Sequence, residues 1–125
     1  MENNLEKELS LPAYAHLGDA VWEIFVRDII VAGVCKISKI HQMTTKYVCA
    51  GFQEKMLFLL DEHLSEEEKE IARRGRNISL TKQKLKNPTT HRHATAFEIL
   101  IGYWYKNDKT RLNEIFSLLK NEIKI

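Results

Sequence analysis

The chain has 125 residues and a mass of 14.6 kDa, room for one domain built on a single compact core. Apolar residues make up 44% and charged residues 29%, which excludes a disordered chain, and no apolar run is long enough for a membrane span. Nineteen Lys and Arg against seventeen Asp and Glu leave a net charge of only +2, so information about partners must come from where the charges sit.

Helical periodicity runs through nearly the whole sequence, and the 5 glycines and 2 prolines are too few for a turn-rich sandwich or barrel. Residues Met1 to Glu8 are polar and acidic, unlike a secretory signal, so a cytoplasmic chain is expected. Leu11 to Gly33 reads as one long helix, apolar on most faces through Leu17, Ala20, Val21, Ile24, Phe25, Ile29 and Ile30. Such a helix is either central in the domain or part of a subunit interface. Ser38 to about Asp61 predicts one or two helices with Gly51 as a break. Ser65-Glu66-Glu67-Glu68 is a capping box, opening a helix from Glu66 to about Arg74. Gly75 to Thr90 is polar and basic, contains Pro88, and reads as a loop.

Ala94 to Lys106 is a strongly apolar helix, closed by an Asn107-Asp108 turn. The last helix places Leu112, Ile115, Phe116, Leu119 and Ile123 on one face. Nothing reads as a strand, and the expected fold is an all-α bundle of about six helices. Cys35 and Cys49 form no CxxC pair and read as buried thiols rather than a metal or redox site.

Charge is concentrated in two segments. Asp61 to Glu70 holds six acids and one lysine, which suits a helix N-terminus. Arg73 to Phe97 holds seven bases and no acid: Arg73, Arg74, Arg76, Lys82, Lys84, Lys86 and Arg92. A basic cluster on a loop suits a polyanion. It is also what a solvated loop balanced by the acidic run before it would contain.

Two carboxylates fall inside apolar stretches. Asp19 lies in His16-Leu17-Gly18-Asp19-Ala20-Val21, and Glu98 in Ala94-Thr95-Ala96-Phe97-Glu98-Ile99-Leu100. Buried acids are costly without a partner. One solution is a shared divalent cation, which beside a basic loop implies phosphodiester chemistry. The other is structural pairing with a base such as Arg27 or Arg92. Glu23, four residues after Asp19, is a further metal-site group or an ordinary surface glutamate. His91-Arg92-His93 has metal-like spacing but no visible third ligand, and is read with the phosphate-binding segment. Trp22, Trp104, Tyr103 and Tyr105 sit in apolar helical runs and read as core or interface.

At these residues the chain resembles a known family. Leu17-Gly18-Asp19-Ala20-Val21 is similar to the signature of the ribonuclease III catalytic domain, and Thr95 to Gly102 to that family's second acidic motif. Ala13 to Ala20, Ile40-His41, Arg74-Gly75-Arg76-Asn77 and Ala94 to Glu98, in that order, resemble the Mini-ribonuclease III branch, which lacks a double-stranded-RNA-binding domain. The likeness runs over almost the whole chain, 1–125, as a single catalytic domain.

Ribonuclease III proper carries further acids where this chain has Pro12, Ala15 and Thr95, and the Mini branch shares this thinning. The resemblance implies a Mg2+-dependent endoribonuclease in which Asp19 and Glu98 are catalytic and hold the metal. Water and RNA phosphate would complete the magnesium shell. It implies a homodimer joined at the signature helix, with duplex RNA across both subunits and each site cutting one strand. The substrate implied is a double-stranded stem of the 23S ribosomal RNA precursor, with room for a ribosomal protein as helper. Arg74, Arg76, Asn77, Lys82, Lys84, Lys86 and Arg92 are the expected RNA contacts. The rival readings are a non-catalytic helical RNA-binding or ribosome-associated domain, favoured by the thinned acids, and a nucleotide phosphohydrolase, which lacks a His-Asp pair or glycine-rich loop.

Overall fold

The computed structural model describes residues 9–34, 36–78 and 86–125. Among them six α-helices and no strand are present: α1 (Leu11–Gly33), α2 (Ile37–Val48), α3 (Ala50–Leu60), α4 (Glu66–Arg76), α5 (Pro88–Asn107) and α6 (Lys109–Leu119). One-turn 3-10 helices follow α3 at Asp61–His63 and α6 at Lys120–Glu122.

The helix starts are set by short polar side chains. Ser10 accepts from the Ala13 N–H at the head of α1, where Pro12 occupies the first turn. Ser65 and Glu68 complete the capping box on α4, each bonding the other's backbone N–H. Asp108 accepts from the Arg111 N–H at the head of α6. On α4, acids fill the first turn and Arg73, Arg74 and Arg76 the last, complementing the helix dipole at both ends.

Three boundaries depart from the sequence expectation. The break after α2 falls at Cys49, whose extended backbone separates α2 from α3, while Gly51 is helical. Gly75 lies within α4 rather than in a loop, and α5 starts at Pro88 rather than near Ala94. Proline is favoured in a helix's first turn, where its missing N–H has no partner to lose. Cys49 is exposed at the α2–α3 junction, so it is not the buried thiol expected; Cys35 lies outside the described residues.

The central helix is α5. Ala96, Phe97, Leu100, Ile101 and Trp104 bury against Trp22, Val26 and Ile30 of α1, Met56, Leu57 and Leu60 of α3, and Leu112, Ile115 and Leu119 of α6. Phe97 meets the Trp22 ring edge-on at 5.1 Å, and the Trp22 Nε1–H donates to the Tyr47 carbonyl oxygen at 2.9 Å. Each such large side chain contributes about 1.5–3 kcal/mol by leaving water. Trp22 and Trp104 are therefore core, as their sequence context suggests, while Tyr105 is exposed.

Glycine sets the closest approach. A β-carbon on Gly18 would stand 1.8 Å from the Glu98 carbonyl oxygen, and one on Gly102 would stand 2.1 Å from that of Tyr14. The missing side chains let α1 and α5 cross in backbone contact.

Candidate active site at the crossing of two helices

The crossing decides where the two acids lie. Gly18 faces α5, so the next residue, Asp19, is rotated about one-third of a turn and reaches the edge of the contact. There it is exposed rather than buried, contrary to the sequence expectation, while Glu98 is half-buried. The two carboxyls nevertheless interact. Burial is the largest influence on Glu98, followed by the Asp19 charge and a hydrogen bond shared with Asp19, and together these push the Glu98 carboxyl up to about 8.

The alternative of structural ion pairs does not account for the two acids. Among the described residues neither Asp19 nor Glu98 is in a salt bridge. Arg27 is bound by Glu23 one turn away on α1, and Arg92 is exposed. Glu23 is thus an ordinary helix-surface acid with its own base.

A residue that sequence reading missed completes the site. Gln53 of α3 is 1% exposed, and its amide acts on Glu98 in the sense opposite to burial, favouring the carboxylate. Its Nε2 is buried without a hydrogen-bond partner. Two adjoining carboxyls with no base between them make an oxygen donor set suited to a divalent cation. No cluster of three or more His, Cys, Asp or Glu with metal-ligand geometry is present among the described residues, so water and substrate oxygens would supply the remaining positions.

The basic residues divide. Gly75 packs α4 onto α5: a β-carbon there would meet Ile99 Cδ1 at 2.9 Å and Ala96 Cα at 3.3 Å. That contact brings Arg74, Arg76 and Asn77, the C-cap of α4, alongside the stretch of α5 that carries Glu98. Arg74, Asn77, Lys86 and Arg92 are exposed, and Arg76 is half-buried. Lys82 and Lys84 lie outside the described residues. Arg73 is committed to Glu70 through two hydrogen bonds of 2.7 and 2.9 Å.

The two histidines also separate. His91 is exposed, but His93 turns onto α3, where its Nδ1 lies 2.7 Å from Glu54 Oε2 and its ring meets Phe58 at 5.0 Å. Thr90 Oγ1 donates to Glu54 Oε1 at 3.2 Å. Only His91 therefore remains free to serve with the exposed basic groups; His93 fastens the start of α5 to α3.

The chain is similar to known proteins along almost its full length. The Ribonuclease III domain family matches residues 13–109. Mini-ribonuclease 3 of Gloeobacter violaceus is 42% identical over 112 residues, covering 90% of this chain and 83% of that protein. Mini-ribonuclease 3 of Enterococcus faecalis is 41% identical over 116 residues, covering 89% and 88%. An X-ray structure of a Fusobacterium nucleatum protein superposes with a TM-score of 0.80 at 25% identity, covering 93% of this chain and 95% of that one.

Fold and matched segments together define an endoribonuclease of the double-stranded-RNA class. The chain belongs to the ribonuclease III family, in its Mini-ribonuclease 3 branch.

Proposed function

We propose that this chain is a Mg2+-dependent endoribonuclease that trims a double-stranded stem of the 23S ribosomal RNA precursor, acting as a homodimer in the cytoplasm. Residues 1–125 are read here as one catalytic domain. The observation that carries this reading is the meeting of Asp19 and Glu98 at the α1–α5 crossing with no base to pair them.

In this reading Asp19 and Glu98 are the catalytic metal ligands. A bound Mg2+ would supply Lewis acidity and an activated water for phosphodiester hydrolysis. Glu98 must give up its proton to ligate, and the glycine contact holds its backbone against α1 beside Asp19. Arg74, Arg76, Lys86 and Arg92, with Lys82 and Lys84, neutralise backbone phosphates, and the Asn77 amide donates a hydrogen bond to them. Such contacts recognise the shape of an RNA duplex more than its sequence.

The homodimer is supported by an apolar groove of about 460 Å³ on the outer face of α1, lined by Leu17, Ala20, Val21, Ile24, Phe25 and Phe116 among others. Ile24 is 60% exposed there, an unusual position for a large apolar side chain beside other apolar groups. A second copy of α1 would cover it. Among the described residues no helix is long and apolar enough to cross a membrane. A ribosomal protein presenting the precursor stem belongs to this reading as a helper.

The test is cleavage of a long perfect RNA duplex and of a 23S precursor stem, with Mg2+ or with chelator. Wild type should cut only with Mg2+, and Asp19→Asn and Glu98→Gln should bind duplex without cutting. Binding by wild type with no cleavage of either RNA would leave a non-catalytic RNA-binding domain. The absence of acids at Ala15, packed into the core, and at Thr95 favours that second reading.

A further inference from the structure

Gln53 occupies a position that the helix pattern reserves for apolar residues. Gln53, Met56, Leu57 and Leu60 follow one another at i, i+3, i+4 and i+7 on α3; all four are buried, the last three in the core around α5. Its neighbour Glu54 points elsewhere, to Thr90 and His93. A buried amide without a partner is costly, and the Gln53 Nε2 has none. The carboxyl within reach of its amide is that of Glu98. A hydrogen-bond donor held in the core beside a carboxyl is suited to fixing the direction in which that carboxyl points.

We propose that Gln53 is a positioning residue for the metal site: its Nε2–H donates to the Glu98 carboxylate when Glu98 ligates a divalent cation, fixing the orientation of that ligand from the third helix. This rests on the reading of Asp19 and Glu98 as metal ligands. Gln53 does not touch the metal or the RNA. It restrains one ligand, so its loss acts on metal affinity before it acts on RNA affinity.

The experiment is calorimetric titration of the full chain with Mn2+, alongside Mg2+-dependent duplex cleavage, for wild type and Gln53→Met. Methionine keeps the length and volume and removes the amide. Outer partners of metal ligands are commonly worth 10- to 100-fold in affinity or activity. Gln53→Met should therefore bind Mn2+ at least about tenfold more weakly and need correspondingly more Mg2+ for half-maximal cleavage. Its RNA KM should stay at the wild-type value and its thermal midpoint should not fall.

Unchanged Mn2+ affinity in a folded Gln53→Met protein would overturn the role of Gln53 while leaving the metal reading in place. No Mn2+ binding by wild type would remove both. A measurement on wild type covers the case in which the variant does not fold: the side-chain amide resonances of Gln53 should shift when Ca2+ is added, and should not shift in Glu98→Gln. Amide resonances indifferent to Ca2+ in a wild type that binds it would equally overturn the proposal.

Discussion

Gly18 and Glu98 meet through their backbones, with no room between them for even one methyl group: a β-carbon on Gly18 would lie 1.8 Å from the Glu98 carbonyl oxygen. Glycine is required here by close approach alone, since no glycine has a positive φ among the described residues. The candidate site is a consequence of this contact. It sets Asp19 beside Glu98 and turns an apolar helix crossing into a place where two carboxyls interact.

Gly18→Ala should therefore separate the two helices. Backbone cannot move aside as a flexible side chain can, so a loss of about 3 kcal/mol is expected in urea unfolding, with duplex cleavage lost as well. Gly51 is the control. A β-carbon there meets nothing within 4 Å, so Gly51→Ala should stabilise α3 by about 0.5 kcal/mol and leave cleavage unchanged.

The Glu98 carboxyl gives the fold a pH dependence. Burial, then the Asp19 charge, hold it at about 8 against an ordinary 4.5. A carboxyl whose folded value is raised favours the folded state while protonated. That contribution is complete below the unfolded value and is lost as pH rises through about 8. Glu98→Gln removes the ionisation. In metal-free buffer its Tm should match wild type near pH 5 and exceed it at pH 9. Thermal melts followed by circular dichroism check this, and parallel curves across the range would contradict it.

The parts legible in the sequence were those that broke a local rule. Asp19 and Glu98 stood out because acids are rare in apolar helical runs, and the capping box at Ser65 because its two partners are three residues apart. Gln53 gave no comparable signal, since glutamine is common on helix surfaces. Only its register with Met56, Leu57 and Leu60 marks it as a core position. Pro88 reads as loop because proline breaks helix interiors, yet at a first turn it starts one. The apolar neighbours of Asp19 predict its burial, but the face α1 turns to α5 is that of Gly18.

Glu68 illustrates what local pattern misses. Beyond capping α4, it accepts from Arg111 Nη2 at 2.9 Å, Arg111 Nε at 3.0 Å and Trp104 Nε1 at 2.9 Å, partners far away in sequence. Burial raises its carboxyl, but the Arg111, Ser65 and Trp104 hydrogen bonds outweigh that and hold it below the usual value. Its contribution is thus present above the ordinary carboxylate range and lost as pH falls below it. Glu68→Gln should destabilise the fold by about 2 kcal/mol at pH 7, with less effect in acid. None of these hydrogen bonds reaches Asp19 or Glu98, so cleavage at moderate temperature should persist.

The exposed strip on α1 makes a prediction about assembly. Ile24 and Val31 are 60% and 56% exposed in the single chain, so a charge at either can be accommodated without disturbing the core. Ile24→Glu should leave helicity unchanged and shift sedimentation from dimer to monomer, with two-strand cutting falling alongside. A wild type that sediments as a monomer at every concentration would remove the dimer from the proposed function.

The exposed basic residues should act on binding rather than on chemistry. Arg74 and Arg92 form no salt bridge among the described residues, so each is free to meet a phosphate. Arg73, held by Glu70 in a bidentate pair, serves as the internal comparison. Each phosphate contact contributes close to one unit to the slope of log K against log salt. Arg74→Ala and Arg92→Ala should each weaken duplex binding and flatten that slope by about one unit, with kcat at saturating RNA unchanged. Arg73→Ala should change the slope by much less, because its charge is already neutralised. Equal slopes for all three variants would mean that the cluster is a solvated helix end and that duplex RNA is held by another face.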